Sequence, residues 1–221
     1  MNGRTVDADP SLPGGLGLST LLGRLAARRP VFHSEADFQF EFARELAVEA
    51  PDMQIRLEVP FRSPADGTRY VDLTCRTSGQ RALVEFKYVT RAYTWTAPDG
   101  EEFRLKNHAA MDLARLHFVH DVHRLESLIG DDSDTTGIAL LLTNADALWG
   151  SPGRRVTRDV AFRLHEGRSP LSGTLTWGPD DNRYPANERV LNGNYPIKWH
   201  DYTSADLSAS AGYFRWLAFQ V

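Results

Sequence analysis

The chain has 221 residues, a formal net charge of −4 and 42% hydrophobic residues, which suits one folded domain and excludes a disordered chain. Its single cysteine, Cys75, excludes an internal disulfide framework and a cysteine-rich zinc module. The acidic balance argues against a protein that coats nucleic acid through bulk charge.

Residues 1–15 contain several prolines and glycines, and we expect a flexible N-terminal tail there. The apolar spacing of Leu18–Arg28 predicts a short amphipathic helix. A second helix is predicted to begin at Ser34, which has capping-box spacing to Asp37, and to end at Pro51.

Three strand-like runs follow, separated by turn signals, and they predict two consecutive antiparallel hairpins. The runs are Gln54–Phe61, Arg69–Arg76 and Arg81–Tyr88. Heptad-like apolar spacing then predicts a long helix over Asn107–Ile129. The uninterrupted apolar run Ile138–Thr143 is typical of a strand that is buried on both faces.

From Asp146 onward, short β-like segments alternate with Gly, Pro and Asn turns. This part is either a small second β unit or an extension of the first sheet. We therefore predict a core over residues 16–145 and a β-rich portion over 146–221, packed on the same domain.

Neither a secretory signal nor a membrane span is evident in the sequence. No basic start with an apolar run opens the chain, and no stretch approaches about 18 uninterrupted apolar residues. With a lone cysteine as well, we expect a cytoplasmic protein without a membrane partner.

The most informative charges lie on two neighbouring predicted strands. Glu85 and Lys87 share one face of their strand, because side chains alternate, and they interrupt an apolar run. Asp72 lies on the preceding strand and can approach Glu85 across the hairpin. Two carboxylates at close range repel unless a proton or a cation lies between them, and hard oxygen ligands suit Mg²⁺ or Mn²⁺.

A third acid lies on the second helix. The apolar stripe of this helix consists of Phe38, Phe42 and Leu46. At about 100° per residue, Glu35 falls in the middle of that stripe, and Gln39 flanks it. Glu35 either favours the helix dipole as a first-turn acid or has a task at the edge of the sheet.

A helix with Glu35, a strand with Asp72 and a strand with Glu85-x-Lys87 together resemble the PD-(D/E)xK nuclease superfamily. The matching segments are HSEADFQ, RYVDL and LVEFK, with Val71 in place of the nominal proline, and the resemblance covers roughly residues 30–145. It implies an α/β fold: a restriction-endonuclease-like core with a mixed central sheet flanked by helices, here with a β-rich C-terminal extension.

The resemblance also implies metal-dependent hydrolysis of phosphodiester bonds. Asp72, Glu85 and the backbone carbonyl of Phe86 would hold Mg²⁺, with Mn²⁺ as a substitute. Glu35 would complete the site directly or through water, and Lys87 would position the attacking water. Nucleic acid is then the expected partner, DNA more so than RNA, and a homodimer would most easily cut both strands of a duplex.

Two other interpretations remain open. The fold could carry a degraded site in a catalytically inactive nucleic-acid-binding or interaction protein. Alternatively, Asp72, Glu85 and Lys87 could form a salt-bridge ladder on a solvated face of a structural protein.

Several further residues are candidates for substrate contact, alongside Gln39. Lys106 and His108 lie at the predicted start of the long helix, where a phosphate could approach. Arg154, Arg155 and Arg158 form a basic cluster that suits either phosphate contact or a solvated loop.

Overall fold

The computed structural model describes residues 9–63, 67–153, 156–205 and 210–221. Within these ranges the chain has an α/β fold, with three α-helices and a mixed central sheet of six strands. The α/β class with a mixed sheet flanked by helices agrees with the sequence prediction. None of the described helices is long and apolar enough to cross a membrane.

The helices are α1 (Leu18–Arg28), α2 (Glu35–Glu49) and α3 (Met111–Ile129). The strands are β1 (Ser11–Leu12), β2 (Leu16–Gly17), β3 (Gln54–Ser63), β4 (Gly67–Arg76), β5 (Arg81–Val89), β6 (Tyr93–Thr96), β7 (Glu102–Leu105), β8 (Thr135–Thr143), β9 (Leu171–Leu175), β10 (Arg189–Tyr195), β11 (His200–Ser204) and β12 (Tyr213–Gln220).

The central sheet has the strand order β11-β12-β8-β5-β4-β3. Its two middle strands, β5 and β8, are parallel, and every other neighbouring pair is antiparallel. Helix α3 lies between β5 and β8 in the chain, as the crossover of a parallel pair requires.

Helices cover both faces of the sheet. On one face, α1 and α2 pack against alternate residues of β5, including Val84 and Phe86. On the other face, α3 and much of the chain between Leu148 and Trp199 pack against Leu83, Leu141 and the residues around them. The middle strands are therefore buried on both sides, as the uninterrupted apolar run of β8 predicts.

The start of α2 follows from local side-chain chemistry. Ser34 Oγ accepts a hydrogen bond from Asp37 N at 3.2 Å, and Asp37 Oδ2 accepts one from His33 N at 2.8 Å. Two backbone donors at the helix start are thereby bound, which fixes Glu35 in the first turn.

The structure differs from the predictions at two places before α3. Ser11 and Leu12 of the predicted tail form β1, which pairs with β2, and Leu12 is buried in the same core cluster as residues of α1 and the sheet. The long helix begins at Met111, not at Asn107, so Lys106 and His108 lie in the preceding loop and not at a helix start. Residues 1–8 lie outside the described ranges.

The C-terminal portion is divided between an extension of the sheet and a separate hairpin. Strands β11 and β12 add to the central sheet, while β9 and β10 pair with each other and pack beside α3. The Glu126 carboxylate of α3 accepts hydrogen bonds from Gly193 N and from the Tyr195 hydroxyl, both at 2.7 Å. Polar contacts therefore attach this hairpin to the outer side of α3.

Candidate active site

Strands β4 and β5 separate in the middle of the sheet. They pair from Arg76 opposite Arg81 as far as Leu73 opposite Val84, and the pairing stops there. Strand β4 continues beside β3, and β5 continues beside β8 to Val89. The separation leaves backbone donors of β5 without a strand partner on the β4 side.

Two carboxylates bind the donors that this separation exposes. Asp72 Oδ2 accepts a hydrogen bond from Phe86 N at 2.7 Å. Glu35 Oε2 accepts one from Tyr88 N at 2.8 Å. The first turn of α2 and the middle of β4 thus bring two acids to the same length of β5.

Strand β3 is distorted beside the same point. Its pairing with β4 passes from Leu57 opposite Leu73 to Val59 opposite Val71, and the intervening Glu58 has a φ of 51°. A residue other than glycine seldom adopts this left-handed conformation, which costs roughly 1–2 kcal/mol. The strain coincides with the position across from Asp72, where β4 bends away from β5.

The alternation predicted for β5 is confirmed. Phe86 points to α2, where its ring lies 5.2 Å from that of Phe38. Lys87 points to α3, where its Nζ lies 2.8 Å from Asp121 Oδ2. Glu85 is on the α3 side as well and forms an ion pair with Arg124. The charged face of β5 is therefore covered by a helix and is not solvated.

Glu85 is the most deeply buried acid of the group, with 1% of its surface exposed. Both of its carboxylate oxygens are buried without a hydrogen bond, although one is in ion-pair contact with Arg124. Burial raises the pKa of Glu85 to about 9; Arg124 opposes this rise, and the Asp72 and Asp121 charges add to it. A buried acid with an oxygen that lacks a donor can accept a further cation.

Lys87 is held as an ammonium. Burial lowers its pKa, but the Asp121 and Glu35 carboxylates outweigh that effect and leave the pKa above its ordinary value. Its Nζ also donates to the Phe86 carbonyl oxygen at 2.9 Å. Burial raises the pKa of Glu35, while Lys87 and the hydrogen bond from Tyr88 N lower it.

The oxygen atoms of these side chains are chemically suitable ligands for a hard divalent cation. Four carboxylates and two cations interact here and carry a net charge of −2 when all are ionised: Glu35, Asp72, Glu85, Asp121, Lys87 and Arg124. Carboxylate and carbonyl oxygens are the ligands that Mg²⁺ and Mn²⁺ prefer. As arranged, however, no group of three or more His, Cys, Asp and Glu side chains among the described residues could hold a metal ion. Lys87 contacts the Phe86 carbonyl and Arg124 contacts Glu85 instead.

The structure thus brings together the acids and the lysine that the sequence indicated, but not the other candidates. Gln39 is 8% exposed in α2, and no hydrogen bond in the described ranges joins it to the acids. Lys106 and His108 are attached to the residue after β5 by hydrogen bonds. Thr90 N donates to His108 Nδ1 at 3.0 Å, and Thr90 Oγ1 donates to the Lys106 carbonyl at 2.7 Å.

The basic cluster near residue 155 is only partly described. The guanidinium carbon of Arg158 lies 4.9 Å from the centre of the Tyr184 ring. Arg154 and Arg155 lie outside the described residues. Phosphate contact by these arginines therefore stays a prediction.

Sequence reasoning missed Asp121 and Arg124, although a signal for Asp121 was present. At about 100° per residue, Asp121 lies about 40° from Leu125 on the apolar side of α3. It is 8% exposed and Leu125 is fully buried, so the acid borders the core. The same argument that singled out Glu35 would have found it.

Comparisons of the chain with protein-family models, with curated proteins and with solved structures find no match. The residues and contacts of the site are therefore the basis on which its function is inferred.

Proposed function

We propose that this protein is a metal-dependent nuclease that hydrolyses phosphodiester bonds, with DNA as the favoured substrate. One observation carries the proposal. Three acids from three elements, Glu35, Asp72 and Glu85, surround the length of β5 that bears Lys87. A sheet whose role is purely structural does not require two neighbouring strands to separate and carboxylates to bind the backbone donors that are exposed there.

The order of elements supports the same proposal. A helix with Glu35, a three-stranded meander with Asp72 and Glu85, helix α3 and the buried strand β8 follow one another in the chain. This is the order that a restriction-endonuclease-like core requires. We therefore propose that fold for the core, with the charged residues in the corresponding places.

Asp72, Glu85 and the Phe86 carbonyl would hold Mg²⁺ or Mn²⁺, and Glu35 would bind it directly or through water. The ion would supply an activated water and positive charge at the phosphate. Lys87, which is an ammonium beside the Phe86 carbonyl, orients the attacking water by hydrogen bonding. The same positive charge stabilises the negative charge that develops on the phosphate oxygens.

The test is a cleavage assay on labelled DNA and RNA with Mg²⁺ or Mn²⁺, and with EDTA. We expect metal-dependent cleavage that Lys87→Ala lowers by about 10²- to 10⁴-fold. Lys198→Ala is the matched control, because Lys198 is an exposed lysine that lines a different cavity, beside Trp216. Cleavage that persists in EDTA, or full activity in Lys87→Ala, contradicts the proposal.

A second candidate is a catalytically inactive nucleic-acid-binding protein on the same core. The observation that favours it is the ion pairing of Glu85 with Arg124 and of Lys87 with Asp121, which fills the contacts that a metal would make. Calorimetric titration with Mn²⁺ separates the two candidates. Binding that is lost in Asp72→Asn and Glu85→Gln supports the nuclease, and no binding to the native chain supports the inactive protein.

A further inference from the structure

Helix α3 contributes a buried acid that none of the proposed metal contacts uses. Asp121 is 8% exposed, and each of its two oxygens contacts a different cation. Oδ2 lies 2.8 Å from Lys87 Nζ, and Oδ1 lies 3.2 Å from Arg124 Nη2. Arg124 in turn contacts Glu85, so Asp121 and Arg124 link Lys87 to Glu85.

A catalytic lysine needs a carboxylate partner to keep its ammonium at one position. Its ammonium is a point charge on a flexible four-carbon stem, so hydrogen bonds and ion pairs largely decide where the ammonium lies. In the described chain, Lys87 Nζ has two contacts, the Phe86 carbonyl and the Asp121 carboxylate. The carbonyl belongs to the neighbouring residue, so Asp121 is the contact that fixes Lys87 relative to a second element.

Stability alone is a weak explanation for Asp121. The attraction within a buried ion pair usually does no more than offset the cost of desolvating its two charges. Such a pair therefore seldom stabilises a protein more than apolar residues of similar volume would. Arg124 lies on the same helix and could satisfy Asp121 without Lys87, as an i, i+3 pair. The contact between Asp121 of α3 and Lys87 of β5 therefore indicates that the Lys87 ammonium must lie at a defined position.

We propose that Asp121 is a positioning residue for Lys87, an inference that rests on the proposed nuclease function. It holds the Lys87 ammonium at one position on the α3 side of β5. Asp121 is buried and acts through Lys87, so it does not touch the nucleic acid.

The experiment combines Asp121→Asn with a double-mutant cycle. We expect Asp121→Asn to lower kcat by about 10- to 100-fold, because a displaced Lys87 no longer orients the attacking water, with KM for DNA unchanged. In the Lys87→Ala background, the same substitution should cause no further loss, because Asp121 acts through Lys87. Glu126→Gln is the control on the same helix, since Glu126 binds the β10 backbone and faces away from the site.

A spectroscopic measurement tests the contact in the metal-free protein. The chain has three lysines, Lys87, Lys106 and Lys198, so the NMR signals of their ε-methylene groups can be resolved and Lys87 assigned from Lys87→Ala. We expect Asp121→Asn to move the Lys87 signal and to leave the other two unchanged. Asp121→Glu, which keeps the charge, should restore part of kcat and serves as the second variant if Asp121→Asn does not fold.

The outcomes are distinguishable. A native chain without metal-dependent cleavage overturns the proposed function and this inference together. An active native chain whose Asp121→Asn variant keeps full kcat and an unmoved Lys87 signal overturns this inference alone. So does a further loss of activity when Asp121→Asn is added to Lys87→Ala.

Discussion

Two groups of buried acids, each paired with an arginine, lie on opposite faces of the sheet, and they differ in how completely the acids are satisfied. Between α1 and α2, Arg28 donates to Glu41 at 2.9 Å and to Glu45 at 2.8 Å, and each acid is 7% exposed. Beside α3, Arg124 is shared between Glu85 and Asp121, and Glu85 keeps a buried oxygen that accepts no hydrogen bond.

Burial of charge is therefore a poor marker of a site on its own. In the α1–α2 group, a single guanidinium fork binds both acids, which is a complete arrangement. In the α3 group, more acids than cations meet beside two backbone donors of a separated strand. The unsatisfied carboxylate of Glu85 and the acids bound to backbone donors of β5 are what distinguish the candidate site.

The largest expected effect comes from changing one acid to an amide in each group. Glu85→Gln should lower metal-dependent cleavage by about 10²- to 10³-fold and remove the heat of Mn²⁺ binding, since an amide cannot supply the charge that holds the ion. Glu45→Gln should leave both unchanged. Equal cleavage rates for the two variants in a steady-state assay would contradict the prediction that the α3 group, and not the α1–α2 group, is the functional site.

A smaller effect is expected when pH is varied during metal binding. With its pKa raised to about 9, Glu85 carries a proton at pH 7 that the metal must displace. Mn²⁺ affinity should therefore rise by up to about tenfold per pH unit between pH 7 and 9. Calorimetry in buffers with different ionisation heats should detect the released proton, and a flat affinity over this interval would argue that Glu85 does not bind the ion.

The α1–α2 group should respond in stability instead. Arg28→Met removes the arginine that Glu41 and Glu45 share and leaves Glu41 with the longer contact to Arg44 at 3.5 Å, so we expect the free energy of unfolding to fall by about 1–3 kcal/mol. The half-exposed position of Arg28 keeps the cost below that of a fully buried pair. Urea denaturation measures the change, and the cleavage rate of the folded variant should equal that of the native chain.

Counted per pH unit, the smallest effect is the change in the free energy of unfolding with pH. Because the pKa of Glu85 is raised from 4.5 to about 9, the folded chain binds a proton that the unfolded chain loses between these values. The free energy of unfolding should fall as pH rises through this window, by at most about 1.4 kcal/mol per unit. Glu85→Gln should flatten this slope and Glu45→Gln should not, as thermal melts from pH 5 to 9 would show.

Features set by neighbours in sequence were predictable. Helix α1 has the predicted bounds, and α2 begins after its Ser34 cap and ends before Pro51. Strict alternation along β5 correctly separated Glu85 and Lys87 from Phe86. These properties depend on periodicity and capping, which are local.

Features set by contacts between distant residues were not predictable. Asn107 resembles a helix cap, but the chain beside it is held by the hydrogen bond from His108 N to the Thr90 carbonyl, so α3 starts later. Residues 159–167 belong to the portion that was predicted to be β-rich, but they contain a 3₁₀ turn whose carbonyls accept hydrogen bonds from Arg168. The contact between Asp121 and Lys87 could not be predicted without knowing which strand α3 covers.

The separation of β4 from β5 has a consequence for hydrogen exchange. The amides of Phe86 and Tyr88 are bound by side-chain carboxylates, whereas β5 is otherwise paired with β4 or β8 within the sheet. Exchange at these two amides depends on whether Asp72 and Glu35 keep their positions, and it can proceed without opening the β5–β8 pair. The exchange rates of these two amide protons therefore report whether the site is locally ordered. They can be measured on the native chain without substrate, metal or mutation.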